Sequence, residues 1–95
     1  INGYRVELGE IEFHAKKFCG GSNLAAFTII NKIGATSIYM AIEKLTLENQ
    51  KLVDYLKENL PPYMIPEKIF SIDQLPMSLS GKTDRNALSS QFQEQ

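Results

Sequence analysis

Hydrophobic and polar residues alternate along this chain with periods that change from segment to segment. Between Leu8 and Cys19 the apolar side chains recur every three or four residues, which predicts an amphipathic helix. Its hydrophobic stripe consists of Leu8, Ile11, Ala15 and Phe18. Lys16 and Lys17 lie in the last turn, where basic residues suit the helix dipole. Gly20 follows and can adopt the left-handed conformation that ends many helices.

Two strand-like segments come next. LAAFTII (24–30) and SIYMAIEK (37–44) are rich in β-branched and aromatic residues, and the Asn and Gly of NKIGAT between them predict a hairpin loop. Alternate positions of the second segment share a face. One set is Ile38, Met40 and Ile42, and the other is Tyr39, Ala41 and Glu43. We therefore expect the first face to pack against the core and the second to be more solvated.

The second half of the chain predicts another helix, a third strand and a final short helix. The first of these helices has a stripe of Leu52, Val53, Leu56 and Leu60. Thr46 is a candidate N-cap, and Pro61 and Pro62 end the helix because proline cannot continue its hydrogen bonds. KIFSI (68–72) predicts the third strand, and a helix is expected near Asp84–Phe92.

These elements predict an α+β fold for residues 1–95. A small β-sheet of about three strands would be flanked by helices, with a short N-terminal extended segment at Tyr4–Val6. A chain of 95 residues is one small domain or a part of a larger protein.

Composition excludes several classes of partner. Ten basic and eleven acidic residues leave a net charge of −1, and without a basic run we expect neither nucleic acid nor an anionic membrane surface as a partner. The longest nearly apolar run, LAAFTII, is too short to span a bilayer. Cys19 is the single cysteine, so no intramolecular disulfide forms, and we expect a cytoplasmic location.

The segment LPMSLSGKTDR (75–85) ends like a phosphate-binding P-loop. That motif needs a glycine five residues before Gly81, and Pro76 occupies this position. Proline has no N–H to donate to a phosphate and has a fixed φ, so the P-loop interpretation fails. Two interpretations stay open for the loop. Gly81 could simply shape a turn beside a solvated Lys82, or Lys82 could act as a point charge in the active site of another domain.

Other candidate sites have simpler structural interpretations. His14 and Cys19 could suggest a nucleophilic pair, but five residues apart on one helix they point in different directions. One histidine and one cysteine are also too few ligands for a metal site, so we expect none. Glu7, Glu10 and Glu12 could form paired carboxylates, but they are more simply solvated groups that favour the helix N-terminus.

Three segments together resemble a known family. They are GYRVELGEIE at Gly3–Glu12, LPPYMIP at Leu60–Pro66 and LPMSLSGKTDR at Leu75–Arg85. In order and spacing they resemble the closing motifs of amino-acid adenylation domains from nonribosomal peptide synthetases, within the acyl-adenylate-forming superfamily. The resemblance is to the small C-terminal subdomain and covers essentially the whole chain. The sequence GKTDR (81–85) is more similar to the amino-acid-activating branch than to the acyl-CoA ligases.

The resemblance implies a ligase that works in two steps. ATP and Mg²⁺ would be used to form an aminoacyl-adenylate with release of pyrophosphate. The acyl group would then pass to the phosphopantetheine thiol of a peptidyl carrier protein. The small subdomain of such enzymes rotates between the two half-reactions. The large N-terminal subdomain would hold ATP, Mg²⁺ and the amino acid, so we expect the 95-residue chain alone to be inactive.

The resemblance also implies roles for four residues. Lys82, beside Gly81, would enter the active site during adenylation and bridge the substrate carboxylate and ATP oxygens. Gly3 and Arg5 would lie on the face used for thioester formation. A glycine there lets the pantetheine arm pass close to the backbone, and an arginine can pair with phosphate. The alternatives are a non-catalytic module of the same fold that binds a carrier or partner protein, and a subdomain of an acyl-CoA ligase.

Overall fold

The computed structural model describes residues 6–45 and 48–93. Its helices are α1 (Leu8–Phe18), α2 (Asn49–Asn59) and α3 (Arg85–Phe92), with a short 3₁₀ turn at Pro62–Met64; its strands are β1 (Leu24–Ile30), β2 (Thr36–Glu43) and β3 (Lys68–Ile72). The sheet has the order β1-β2-β3. The expected α+β fold with three strands is confirmed. Most of the predicted extended segment lies outside the described residues.

The first helix ends where its sequence predicts. Ile11 and Ala15 are fully buried. The backbone N–H of Cys19 donates to the Ala15 carbonyl, and Gly20 has a φ of +70°. This left-handed conformation costs a glycine little, and it turns the chain toward β1.

The predicted hairpin of β1 and β2 is antiparallel, and Phe27 lies opposite Tyr39. Its loop is ordered by Asn31, whose side-chain oxygen accepts hydrogen bonds from the backbone N–H groups of Ile33 and Ala35. An asparagine side chain that bonds the following backbone is a common stabiliser of tight turns. Hydrogen bonds within the loop sequence therefore stabilise the turn of this hairpin.

The second helix carries the chain from β2 to its parallel neighbour β3, a connection that needs a crossover. Leu52 and Leu56 are fully buried, and Val53 is half-buried. The helix ends at Asn59, and Leu60 has extended backbone before the two prolines, as expected. The N-cap position is Glu48, whereas the predicted cap Thr46 lies outside the described residues.

The sheet is buried on both faces, which corrects one prediction. The face of Ile38, Met40 and Ile42 packs against α1 and α2, as expected. The opposite face is not solvated, because Tyr39 is only 4% exposed and Ala41 is 0% exposed. The covering side chains come from the C-terminal segment and include Leu75, Leu88 and Phe92. The prediction was wrong because α3, far along the chain, covers this face.

The third helix also protects the free edge of the sheet. Three side chains of the C-terminal segment donate hydrogen bonds to alternate carbonyl oxygens of β1: Arg85 to Ala26, Ser89 to Thr28 and Gln93 to Ile30. Four residues of helix rise about 6 Å, close to the roughly 6.8 Å between alternate strand residues. This match lets every fourth side chain reach the strand. Exposed edges invite pairing with other strands, so the helix also guards against association.

Within the described ranges 6–45 and 48–93, none of the helices combines the length and the apolar composition needed to cross a membrane.

Candidate functional site

Lys82 lies on a tight hairpin between β3 and α3. Met77 and Thr83 form an antiparallel bridge at its base. The backbone N–H of Ser78 donates to the Lys82 carbonyl at 2.7 Å, and the N–H of Gly81 donates to the Ser78 carbonyl at 3.0 Å. Gly81 has a φ of +83°, which a side chain would disfavour. The SGK segment is therefore a closed turn and does not form a phosphate cradle.

The hairpin exposes both charge and apolar surface. Lys82 and Gly81 are exposed, Met77 is 54% exposed and Leu79 is fully exposed. Beside them lies a surface cleft that contains three cationic side chains and one carboxylate: Lys16, Lys82, Arg85 and Glu12. A positively charged cleft next to exposed apolar side chains suits contact with another protein surface and an anionic ligand.

The first leg of the hairpin is attached to the end of β2. The backbone N–H of Leu75 donates to Glu43 Oε2 at 2.7 Å, and Asn23 Nδ2 donates to Oε1 at 3.1 Å. Leu75 itself is 4% exposed and belongs to the core on the Tyr39 face of the sheet. The hydrogen bond from Leu75, followed by that from Asn23, holds the pKa of Glu43 below its ordinary value of 4.5.

This lowered pKa predicts a pH dependence. A carboxyl whose pKa is lower in the folded state stabilises the fold above its unfolded pKa, and the contribution is lost as the pH falls through the folded pKa. The Glu43 contribution should therefore be complete at neutral pH and be lost progressively as the pH falls below about 4.5, through the lower folded pKa. The unfolding free energy of the parent should decrease as the pH falls from 7 to 3, and we expect Glu43→Gln to make this decrease smaller. An equal decrease in the parent and in Glu43→Gln would contradict this attachment.

The second leg of the hairpin is attached to α1 and β1. Asp84 caps α3 by accepting a hydrogen bond from the Ala87 N–H at 3.0 Å. Arg85 then reaches back: its Nε donates to the Ala26 carbonyl at 3.1 Å, and its Nη2 donates to Glu12 Oε1 at 2.9 Å. The other Glu12 oxygen accepts the Ala26 N–H at 2.8 Å. One carboxylate therefore joins α1, β1 and the first residue of α3, directly after the hairpin.

The expectation that Glu12 is a solvated, dipole-favouring group is wrong. Its side chain is only 16% exposed and is bonded on both oxygens. Glu10, in the first turn of α1, is exposed as expected. Sequence reasoning missed the role of Glu12 because its partner Arg85 lies 73 residues away. The joint presence of the first and third motifs was the available signal.

The two remaining candidate site residues, Gly3 and Arg5, lie outside the described residues. Their assignment to the thioester-forming face stays a prediction. Of the four residues singled out, the structure describes Gly81 and Lys82, which are neighbours in the same turn.

Cys19 has the properties of a packing residue. Burial raises the pKa of its thiol above the ordinary value of 9.0, the opposite of what an activated nucleophile needs. We expect iodoacetamide to alkylate Cys19 at pH 8 more slowly than it alkylates free cysteine, and faster alkylation would reopen the nucleophile interpretation.

Over residues 6–45 and 48–93, the structure has no group of three His, Cys, Asp or Glu side chains that could hold a metal ion.

Comparison with curated proteins gives relatives in one class. No family model matches the chain. Nonribosomal peptide synthetase flvI of Aspergillus flavus is 36% identical over 112 aligned positions, which cover 97% of this chain and 10% of that protein. Surfactin synthase subunit 2 of Bacillus subtilis is 36% identical over 88 positions, which cover 93% of this chain and 2% of that protein. The chain thus spans a tenth or less of these two relatives.

Solved structures share the fold. A fatty acyl CoA synthetase of Mycobacterium tuberculosis matches 95% of this chain with a TM-score of 0.84 and 22% identity, over 18% of its own chain. The anthranilate CoA ligase AuaEII in complex with anthranoyl-AMP matches 98% with a TM-score of 0.85 and 18% identity, over 19% of its own chain. At these identities the likeness shows a common fold for a segment of larger ligases.

The sequence relatives and the shared fold agree with the three motifs. In each of these relatives and neighbours the matching segment is a small part of a longer chain. Along nearly its whole length the chain is similar to a segment of nonribosomal peptide synthetases, in agreement with the small C-terminal adenylation subdomain that the three motifs predict.

Proposed function

We propose that residues 1–95 form the C-terminal lid subdomain of an ATP-dependent ligase that activates an amino acid. The ligase forms an aminoacyl-adenylate and transfers the acyl group to the phosphopantetheine thiol of a peptidyl carrier protein. The observation that carries this proposal is the exposed Lys82 on a closed hairpin turn, in a chain similar to nonribosomal peptide synthetases. A cytoplasmic location is part of the proposal.

In this proposal Lys82 acts in the first half-reaction. The amino-acid carboxylate attacks the α-phosphorus of ATP, a carboxylate oxygen–phosphorus bond forms, and the bond to the bridging pyrophosphate oxygen breaks. Negative charge accumulates on the phosphoryl oxygens during this exchange. The Lys82 ammonium, a compact point charge, offsets that charge when the hairpin enters the active site.

The surroundings of Lys82 support this role. Lys16 and Arg85 lie in the same cleft, so the surface presented with the hairpin carries an excess of positive charge over the single carboxylate of Glu12. Such a surface attracts polyphosphate. Met77 and Leu79 offer apolar area for contact with the large subdomain, which would hold ATP, Mg²⁺ and the amino acid.

The second half-reaction is assigned to the other end of the chain. Gly3 and Arg5 would face the carrier protein, with the glycine beside the pantetheine arm and the arginine pairing with its phosphate. Rotation of the subdomain would remove Lys82 and bring these residues to the active site.

The experiment is ATP–pyrophosphate exchange with the full-length protein that contains this chain, across a panel of amino acids. Transfer is then measured to a carrier protein with phosphopantetheine attached, and separately to coenzyme A. We expect exchange with one or a few amino acids and transfer to the carrier. Transfer to coenzyme A instead would identify an acyl-CoA ligase, and failure of exchange with every acid would favour a non-catalytic binding module.

A further inference from the structure

The hairpin that carries Lys82 rests on two carboxylates from different parts of the fold. Glu43, at the end of β2, accepts the Leu75 N–H before the hairpin, and Glu12, in α1, binds Arg85 after it. Neither glutamate belongs to the hairpin, and 32 and 73 residues separate them from their partners. The turn between the two attachment points is held by backbone hydrogen bonds.

We propose that Glu12 and Glu43 are positioning residues that fix the direction in which the hairpin presents Lys82. The attachments themselves are independent of the reaction, whereas their effect on catalysis rests on the function proposed above.

Directional hydrogen bonds suit this task better than packing does. The side chains at the tip are exposed, with Leu79 fully exposed and Met77 54% exposed, so apolar contacts of the tip itself do little to orient the turn within this chain. Hydrogen bonds to a charged acceptor are short and roughly twice as strong as neutral ones. The 2.7 Å and 2.9 Å distances at Glu43 and Glu12 agree with such bonds.

Replacement by glutamine should disturb the hydrogen bonds of Glu12 more than those of Glu43. Both partners of Glu12, the Ala26 N–H and Arg85, are donors only. A glutamine amide group would therefore place its own donor against one of them. Glu43 binds the Leu75 N–H and the side-chain amide of Asn23. Asn23 can turn its amide and offer oxygen, so Glu43→Gln can keep both contacts whereas Glu43→Ala loses them.

Hydrogen exchange measured by mass spectrometry tests the attachments directly in the full-length protein. We expect Glu12→Gln and Glu43→Ala to speed exchange in segment 76–84, which contains the hydrogen-bonded amides of Ser78, Gly81 and Asp84. Exchange in α2 should stay unchanged, and Glu43→Gln should resemble the parent. The control is Glu10→Gln, which alters an exposed carboxylate on the same helix as Glu12. Unchanged exchange in segment 76–84 would overturn the proposal.

Kinetics test whether the attachments act through Lys82. A misplacement of about 1 Å can cost up to 10²-fold, so we expect Glu12→Gln to lower kcat for pyrophosphate exchange by about tenfold with little change in the KM for ATP. In a Lys82→Ala background the same change should have an effect below about twofold, because the lysine it positions is gone. An equal loss in both backgrounds would overturn the proposal and assign Glu12 a general structural role.

The proposed function can fail separately from this inference. If the full-length protein with Lys82 intact catalyses no exchange with any acid, the ligase assignment fails. The hydrogen-exchange result then decides the inference alone. Faster exchange confined to segment 76–84 supports the attachment, and uniform or unchanged exchange rejects it.

Discussion

Replacing Lys82 with alanine in the full-length protein should lower amino-acid-dependent ATP–pyrophosphate exchange by about 10²–10³, the scale of one transition-state contact. The lysine is exposed and lies on a turn closed by backbone hydrogen bonds, so its removal should not disturb the fold. In the proposed function, the lost interaction is the ammonium charge that offsets negative charge on the phosphoryl oxygens. The KM for the amino acid should change much less than kcat, since the charge acts mainly in the transition state.

Two further variants separate charge from surface effects. Lys32→Ala removes an exposed lysine from the loop between β1 and β2, and it should leave exchange unchanged. Lys82→Arg keeps the charge but changes its shape and reach, so its rate should fall between those of the parent and of Lys82→Ala. If Lys82→Ala kept the parent rate, the loop would be only a turn and the residue assignment wrong.

Replacing Phe27 with alanine should destabilise the 95-residue chain by about 3–5 kcal/mol, the usual cost of emptying a large aromatic site in a core. Phe27 is 0% exposed, and its ring centroid lies 6.0 Å from that of Tyr39 and 5.7 Å from that of Phe92. The loss is large against the roughly 5–15 kcal/mol that stabilises a typical domain. Urea denaturation followed by circular dichroism measures it.

The matched control is Phe13→Ala. Phe13 is 58% exposed on α1 and contacts His14 and Lys17 at the surface. Its removal should cost less than about 1 kcal/mol. Equal losses for the two phenylalanines would mean that a ring buried in the core on the Tyr39 face of the sheet contributes no more stability than an exposed ring.

Most of the fold was predictable from the sequence because the residues that begin and end its helices and turns act on neighbouring backbone. Gly20 ends α1 and the two prolines follow α2, and each acts on neighbouring backbone. The burial of Tyr39 and Ala41 was not predictable in this way. Both are covered by side chains from the C-terminal segment, such as Leu88, and periodicity within a strand carries no information about such distant partners.

The candidate site was also predicted only in part. Lys82 and Gly81 were predicted from a motif, and the structure places them in one turn, although their catalytic role stays a prediction. The carboxylates that hold this turn were missed. Glu12 was interpreted from its helical position and Glu43 from strand alternation, and neither pattern reports a partner 73 or 32 residues away. Tertiary hydrogen bonds determine the roles of these residues.

In the proposed function, this subdomain supplies Lys82 to adenylation and withdraws it before transfer. Separate measurements of the two half-reactions in the full-length protein test this claim. One assay follows aminoacyl-adenylate formation from ATP and the amino acid, and the other follows transfer from a chemically synthesised adenylate to the carrier protein. We expect Lys82→Ala to slow the first by about 10²–10³ and to leave the second within about threefold. Equal slowing of both steps, or of neither, would contradict the claim.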